Sequence, residues 1–195
     1  MDLGSLSAIL GAFGLSASAG LNAYIPLLLV SLTARFAPGL MGLGEGYELL
    51  ASPWVIGALI ILLIVEVLAD KVPVIDHLND LVGVLVRPAA GAILFASQTG
   101  GIDFLDPTIA LVLGLLVAGA AHGAKATARP VVTASTGGLG NPVVSTLEDV
   151  AALLTSLAAI LAPLLVGAGL IGLTLLVALW WWRRRRRASR RAMAA

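Results

Sequence analysis

Two runs of small polar residues, glycine, asparagine and proline interrupt a chain that is otherwise apolar over membrane-spanning lengths. They are Ser16-Ala-Ser-Ala-Gly-Leu-Asn-Ala-Tyr-Ile-Pro26 and Thr133-Ala-Ser-Thr-Gly-Gly-Leu-Gly-Asn-Pro-Val-Val-Ser145. Inside a bilayer every backbone N–H or C=O left without a partner costs several kcal/mol. A broken segment therefore persists only where protein or a wet cavity receives it, and many transporters build their binding sites from such breaks near mid-membrane.

The 195 residues are 59% hydrophobic and 12% charged, with a mean hydropathy of +1.01, which excludes an ordinary soluble domain. The absence of cysteine excludes disulfides, thiolate metal ligation and cysteine nucleophiles. A net charge of +1 conceals an asymmetry: Arg183 to Arg187, Arg190 and Arg191 supply seven of the twelve basic residues. The start, Met1-Asp2-Leu3-Gly4, lacks a basic leader, so the first apolar stretch is expected to be retained.

A helix needs about 20 apolar residues to cross a hydrocarbon core roughly 30 Å thick, which predicts an all-α, polytopic transmembrane bundle of about six spans. Residues 1–182 are expected to form one transmembrane domain and 183–195 an Arg-rich cytoplasmic tail. The first span covers about 3–35 and is broken in the middle. The second runs from Ser52-Pro53, a cap followed by proline where the missing N–H does no harm, to Asp70. Asp76 is expected to cap the third, ending near Ser97. Asp106-Pro107 starts the fourth, which ends near Thr127. Ser145 to Glu148 read as a capping box opening the fifth, with 133–145 as a loop able to re-enter the bilayer. Val150 to Trp182 would be about 50 Å long as one helix and is read as two short spans turning near Gly167 and Gly169, with a single tilted helix as the alternative.

Basic residues flanking spans are retained in the cytoplasm. This places the C-terminus and the loops carrying Lys71 and Arg129 inside, and the loops carrying Glu45, Glu48, Asp103 and Asp106 outside, with Arg35 as the exception. An even count of spans puts the N-terminus inside as well. Trp180 to Trp182 read as an interfacial belt. The localisation expected is a bacterial plasma membrane.

Arg87 falls near the middle of the third span, where a charge costs about 2.5–3.5 kcal/mol on insertion scales. It must face protein or water, and Glu66 is the nearest carboxylate in depth, so an ion pair across the hairpin is one reading and an anion site the other. His122, Lys125 and Arg129 share one helix face if the fourth helix continues through them. With Asn141 and Ser145 nearby, such a face suits a phosphate or carboxylate. Asp76 and Asp80 lie four apart, and with Glu66, Asp70, Glu148 and Asp149 they could instead hold a hard cation or relay protons; ion pairing with the basic cluster explains them equally well.

Over most of its length the chain resembles an uncharacterised bacterial membrane family, domain of unknown function 4126. The resemblance rests on Gly14 to Leu28, on Glu66-Val-Leu-Ala-Asp-Lys-Val-Pro-Val-Ile-Asp76 with Arg87-Pro88, on His122-Gly-Ala-Lys125, and on Thr136 to Asp149. It implies the membrane class and no mechanism. Lys125-Ala-Thr-Ala-Arg-Pro130 before a Gly-Gly loop also looks like a membrane acid phosphatase. That loop holds no histidine, and neither His77 nor His122 takes the nucleophile's place, so no catalytic residue is assigned and the chain is not expected to be an enzyme.

The leading expectation is a small transporter or flippase-like carrier of an anionic or phosphate-bearing substrate. Asn22, Tyr24, Arg87, His122, Lys125, Arg129, Asn141 and Ser145 would bind it, with Glu66, Asp70, Asp80 and Asp149 as coupling or ion-pairing groups. No metal or cofactor is expected, and the partners are membrane lipids, the substrate and a second copy of the chain, with no nucleic acid. A polar cavity where Asn22 and Asn141 converge around Arg87 would be its best support. The alternative is a noncatalytic scaffold or lipid-binding protein.

Overall fold

The computed structural model describes the backbone of residues 2–70, 73–102 and 104–192, and the side chains of these except at 73–80, 101, 166–168, 170, 182 and 184–192. The chain begins with α1 (Leu3–Leu21), capped by Asp2, whose carboxylate accepts from the Ser5 N–H at 2.8 Å. At Asn22 the backbone turns extended (φ −142°, ψ 122°), although its N–H still reaches the Ser18 carbonyl. The Asn22 side-chain oxygen then accepts from the Tyr24 and Ile25 N–H groups and opens α2 (Tyr24–Phe36). One residue thus closes one helix and caps the next, satisfying orphan groups that bilayer depth would leave costly.

The first apolar stretch is a helical hairpin, which corrects the expected single interrupted crossing of 3–35. Gly4 and Ser7 of α1 share a cavity of about 450 Å³ with Gly39 to Gly42, Gln98 and Pro163, so α2 returns to the end from which α1 started. The Gly44 N–H donates to the Ser97 carbonyl at this same end. The N-terminus consequently lies with the acidic loop segments carrying Glu48 and Asp106, opposite the end carrying Asp70 and Arg129. An N-terminus beside Arg129 was expected from counting the hairpin as one crossing.

The remaining helices are α3 (Pro53–Ala69), α4 (Pro73–Ser97), α5 (Pro107–Thr136), α6 (Asn141–Leu161) and α7 (Pro163–Ala192), with single 3₁₀ turns at Glu48–Ala51 and Thr99–Gly101. Ser52 and Asp106 cap α3 and α5 as their sequence signals predict. Three other boundaries differ from expectation. α4 starts at Pro73, so Asp76 lies within its first turn rather than ahead of it. α5 passes Thr127 and Pro130 and stops only where Gly137 and Gly138 adopt φ of 60° and 87°, conformations that glycine takes without a steric penalty. α6 opens at Asn141 with Pro142 in its first turn, so 133–145 is mostly helical, the connection shrinks to Gly137–Gly140, and Ser145 and Glu148 form no capping box. The break expected near Gly167 and Gly169 falls instead at Ala162-Pro163, and α7 runs unbroken through both glycines.

α1 is the centre of the bundle and packs against α4, α5, α6 and α7. Its Ala12, Leu15 and Ala19 are fully buried, and Leu15 and Ala19 join Leu27, Val30, Ala90, Leu94 and Ala118 in one apolar core. Phe13 meets Phe95 edge to face, with ring centroids 5.0 Å apart. α4 and α5 cross so closely at Gly91 and Gly114 that a β-carbon on either would collide with the opposite helix, the small-residue contact typical of membrane helices. Large apolar side chains on α3, α5 and α7 face outward, Trp54, Ile61, Leu116 and Leu176 among them. Among the described residues three helices, α1, α5 and α6, are long and apolar enough to cross a membrane, with shorter apolar helical segments in α2, α3, α4 and α7, and the protein is a helical membrane bundle.

Candidate functional site

The tip of the α1–α2 hairpin ends in a buried polar network to which α3, α4, α5 and α6 all contribute. α5 supplies His122, Lys125 and Arg129 at spacings of three and four, so a single inward face carries all three, each no more than 7% exposed. α6 answers from the opposite side. With the helix opening at Asn141, Ser145 and Asp149 follow it in steps of four and Glu148 lies three past Ser145, so all four fall on its inner stripe.

Arg87 of α4, only 1% exposed, donates through one nitrogen to Glu66 Oε1 on α3 at 3.3 Å and through the other to His122 Nδ1 at 3.1 Å. The cross-hairpin ion pair read as one alternative is therefore built. A guanidinium can only donate, so His122 Nδ1 must present its lone pair. That bond requires His122 to be neutral with its proton on Nε2.

One turn farther along α5, Lys125 Nζ donates to the Leu21 carbonyl at 3.1 Å, one of the chain groups exposed by the α1 break. It also meets Glu148 Oε2 at 2.9 Å, and Arg129 meets the same oxygen at 2.9 Å. Two cations thus hold one carboxylate oxygen, and Glu148, at 14% exposure, is more open to solvent than either of them. Arg129 lies 3.7 Å from Asp70 Oδ2, which also accepts the Ser145 hydroxyl at 2.7 Å. Asn22 Nδ2 donates to Asp149 Oδ1 at 2.9 Å and so ties the hairpin tip to α6.

Most residues singled out from the sequence are gathered here. Asn22, Glu66, Asp70, Arg87, His122, Lys125, Arg129, Ser145 and Asp149 belong to the network, and Tyr24, half-buried on α2, lies within electrostatic reach of Glu66 and Arg87. Asn141 does not join them. It accepts from the Thr133 hydroxyl at 3.1 Å, eight residues and so about 12 Å along α6 from Asp149. The expected convergence of Asn22 and Asn141 around Arg87 is not what the chain builds, because Asn22 meets α6 two turns above Asn141. The side chains of Asp76, His77 and Asp80 lie outside the described residues, as does all of Lys71.

The capping role expected for Glu148 is not what the chain builds; the ion pairing with the basic cluster, read as an alternative for the acidic group, is, and Glu148 lies between Lys125 and Arg129. The helix start at Asn141-Pro142 explains the choice, because it puts Glu148 seven residues on and facing inward. The serine pair at 0% exposure was missed. Ser18 Oγ lies 2.7 Å from Ser156 Oγ, and each hydroxyl bonds the Ala152 carbonyl, fastening α1 to α6 above the network. Among the described residues no set of histidine, aspartate and glutamate side chains has the arrangement of a metal site.

Neither a curated protein nor a solved structure matches the chain. Residues 9–184, which include every residue named in the network, match the model of a family described as a domain of unknown function, and the chain belongs to that family, domain of unknown function 4126.

Proposed function

We propose that the protein is a small secondary carrier for an anion bearing carboxylate or phosphate groups, and that Lys125 and Arg129 are its substrate clamp. The observation that carries this reading is the single Glu148 oxygen held at 2.9 Å by both cations. Paired cations converging on one oxygen are what a carboxylate or phosphate requires, and Glu148 occupies the place such a group would take. Exchange of Glu148 for a substrate anion leaves the buried charge unchanged, so the substrate need not overcome the cost of a new buried ion. The helix reversal at Asn22, with the Leu21 carbonyl turned onto Lys125, is the kind of broken segment from which carriers build central sites. The basic end faces the cytoplasm in this reading, in line with retention of Arg and Lys on that side. A homodimer fits the small number of crossings.

The test is flux into liposomes of phosphatidylethanolamine and phosphatidylglycerol, with inorganic phosphate, short dicarboxylates and a fluorescent phospholipid as separate probes. Anion uptake or phospholipid scrambling that is lost in a folded Lys125→Ala, Arg129→Ala protein supports the reading. Wild-type rates from that variant would remove the clamp.

A second reading is favoured by one observation: each cation of the network meets a carboxylate of the same chain. In a noncatalytic scaffold these pairs only hold helices together, and the Arg-rich segment from Arg183 binds the anionic leaflet at about 1 kcal/mol per basic residue. Deleting residues 183–195 separates the two readings. Loss of lipid or partner association with intact insertion supports the scaffold, whereas unchanged anion flux supports the carrier.

A further inference from the structure

We propose that the cavity of about 450 Å³ at the open end of the α1–α2 hairpin binds a primary ammonium group. Gly11, on its wall, is eleven residues and so about 16 Å along α1 from Asn22. The inference does not depend on the carrier reading, whose clamp sits at the other end of the bundle.

The first acceptor on its wall is the amide of Gln98, a side chain only 6% exposed. Hydrogen bonding decides which way that amide is turned. Ser97 Oγ donates its proton to the Leu94 carbonyl at 2.8 Å, so it can only accept from Gln98, and the Met41 sulfur is an acceptor as well. The amide nitrogen therefore takes that side, 3.2 Å from Ser97 Oγ and 3.6 Å from Met41 Sδ. Gln98 Oε1, on the other branch of the amide, receives no donor from the described residues.

The second acceptor is a main-chain carbonyl. In a continuous helix the Ala159 carbonyl would accept from residue 163, but that residue is proline and has no N–H. The Ala162 N–H reaches back to the Ala158 carbonyl and the Leu165 N–H to that of Ala162, so neither serves Ala159. Opposite stands Gly11, where a β-carbon would lie 3.1 Å from the Ala159 oxygen; the glycine leaves that oxygen uncovered. Gly11 and Ala159 both line the cavity, and Ser7, one turn before Gly11, adds a hydroxyl.

Oxygens with lone pairs to offer call for a ligand that only donates, and an ammonium group carries three N–H donors and no acceptor. The electrostatics agree. The carboxyl end of α6, the negative pole of its dipole, closes on the cavity, and Asp2 Oδ2 would lie 3.6 Å from a β-carbon on Gly4 of the wall. No lysine or arginine is among the described residues that line the cavity. Arg35, the basic residue at this end, turns instead to the Ala51 carbonyl at 3.1 Å and lies over the Phe36 ring. A charged donor on a buried neutral acceptor makes a stronger hydrogen bond than a neutral one, which favours an ammonium over a hydroxyl. The volume is that of a small-molecule pocket and exceeds an ammonium alone, so the group belongs to a larger body, an ethanolamine lipid headgroup or a soluble amine.

The experiment exploits the lack of cysteine. Leu40→Cys, at a lining position that is 59% exposed, gives the full-length protein a single thiol, and its rate of reaction with a neutral methanethiosulfonate reports occupancy. In liposomes of phosphatidylcholine and phosphatidylglycerol at neutral pH, ethanolamine is expected to slow labelling. Choline, which has the charge but no N–H, and sodium chloride at matched ionic strength are expected to leave it unchanged. Replacing phosphatidylcholine with phosphatidylethanolamine distinguishes the sources: slow labelling without added amine makes the ligand a lipid headgroup, and protection by free ethanolamine alone makes it a soluble amine. Adding Gln98→Met is expected to raise the ethanolamine concentration needed by about tenfold or more, the scale of one hydrogen bond to a charged group. Ser7→Ala, whose hydroxyl gives up no partner among the described residues, carries the same test should Gln98→Met fold poorly. Equal protection by ethanolamine, choline and salt, no protection by ethanolamine either free or in lipid, or an unchanged ethanolamine requirement in the folded variants overturns the site.

Discussion

Asn22 and Asp149 stand 127 residues apart in sequence and are joined by a 2.9 Å hydrogen bond at the tip of the α1–α2 hairpin. The same asparagine caps α2 through its oxygen, so its amide nitrogen and its amide oxygen serve separate tasks. Alanine at this position removes a cap worth about 1 kcal/mol and leaves Asp149 without that donor, a further loss of about 1–3 kcal/mol. Asn22→Asp keeps the cap oxygen but sets a carboxylate against Asp149. Thermal unfolding in detergent is expected to rank wild type above Asn22→Ala, and Asn22→Ala above Asn22→Asp. An aspartate as stable as the asparagine would show that the contact with Asp149 contributes nothing.

Arg87 and Glu66 form one pair, yet they are not equivalent. Removing the guanidinium by Arg87→Met strips donors from both Glu66 and His122, and breaking a buried pair in this way costs about 3–5 kcal/mol. Glu66→Gln keeps an acceptor for Arg87 but removes its counter-charge, so it is expected to be destabilising yet to cost less than Arg87→Met, which also strips His122. Equal losses from both substitutions, measured by unfolding in detergent, would show that the Arg87–His122 bond contributes nothing.

Much of this was legible in the residues, for reasons specific to each. Ser52-Pro53 and Asp106-Pro107 are local signals, because cap and proline act within one turn, and both helices start where those residues put them. The shared face of His122, Lys125 and Arg129 needed only a continuous helix. The reversal at Asn22 was not legible, because Ser16 to Pro26 is equally consistent with a kinked crossing and a hairpin. What decides is tertiary: the Asn22–Asp149 bond and the packing of Gly20 against the Ala118 carbonyl. The expected loop at 133–145 failed because its serines and threonines serve a helix. Thr133 and Thr136 bond carbonyls a turn back, and only the glycine pair at Gly137 and Gly138 ends α5.

The Gly91–Gly114 crossing makes a steric prediction. A β-carbon on Gly91 would meet the Ala118 methyl and lie 2.8 Å from the Gly114 carbonyl oxygen, and one on Gly114 would meet the Gly91 carbonyl. Overpacking of this kind costs about 1–3 kcal/mol or more, since backbone must move. Gly57 and Gly123 meet nothing within 4 Å and serve as controls. Gly91→Ala and Gly114→Ala are expected to lower the unfolding temperature while Gly57→Ala and Gly123→Ala leave it unchanged or raise it.

Asp106 predicts a pH dependence at the opposite end of the bundle. N–H donation from Thr108, reinforced by Ile109, holds its carboxyl below the usual carboxylate range. A depressed folded-state value means stability that is present above the unfolded value and lost as pH falls through the folded one. Asp106→Asn keeps a capping oxygen without the charge. The difference in unfolding temperature between wild type and this variant is expected to shrink as pH drops through and below the ordinary aspartate range; a difference that stays constant would assign the cap no ionic component.

Glu148 offers the sharpest separation between a clamp and a strut. If Lys125 and Arg129 only brace α5 against α6, Glu148→Gln weakens the fold and does nothing for ligands. If they are a substrate clamp, the same change removes the internal competitor and leaves two cations converging on a weaker acceptor. Anion affinity is then expected to rise by tenfold or so, about 1.4 kcal/mol, with the fold somewhat less stable until an anion is added. The measurement is unfolding temperature of Glu148→Gln and wild type across concentrations of inorganic phosphate and of short dicarboxylates, with chloride at matched ionic strength as the screening control. Selective stabilisation of Glu148→Gln that disappears in Glu148→Gln, Arg129→Ala identifies the clamp. Equal responses to chloride and to the test anions would reduce Glu148 to a brace between two helices.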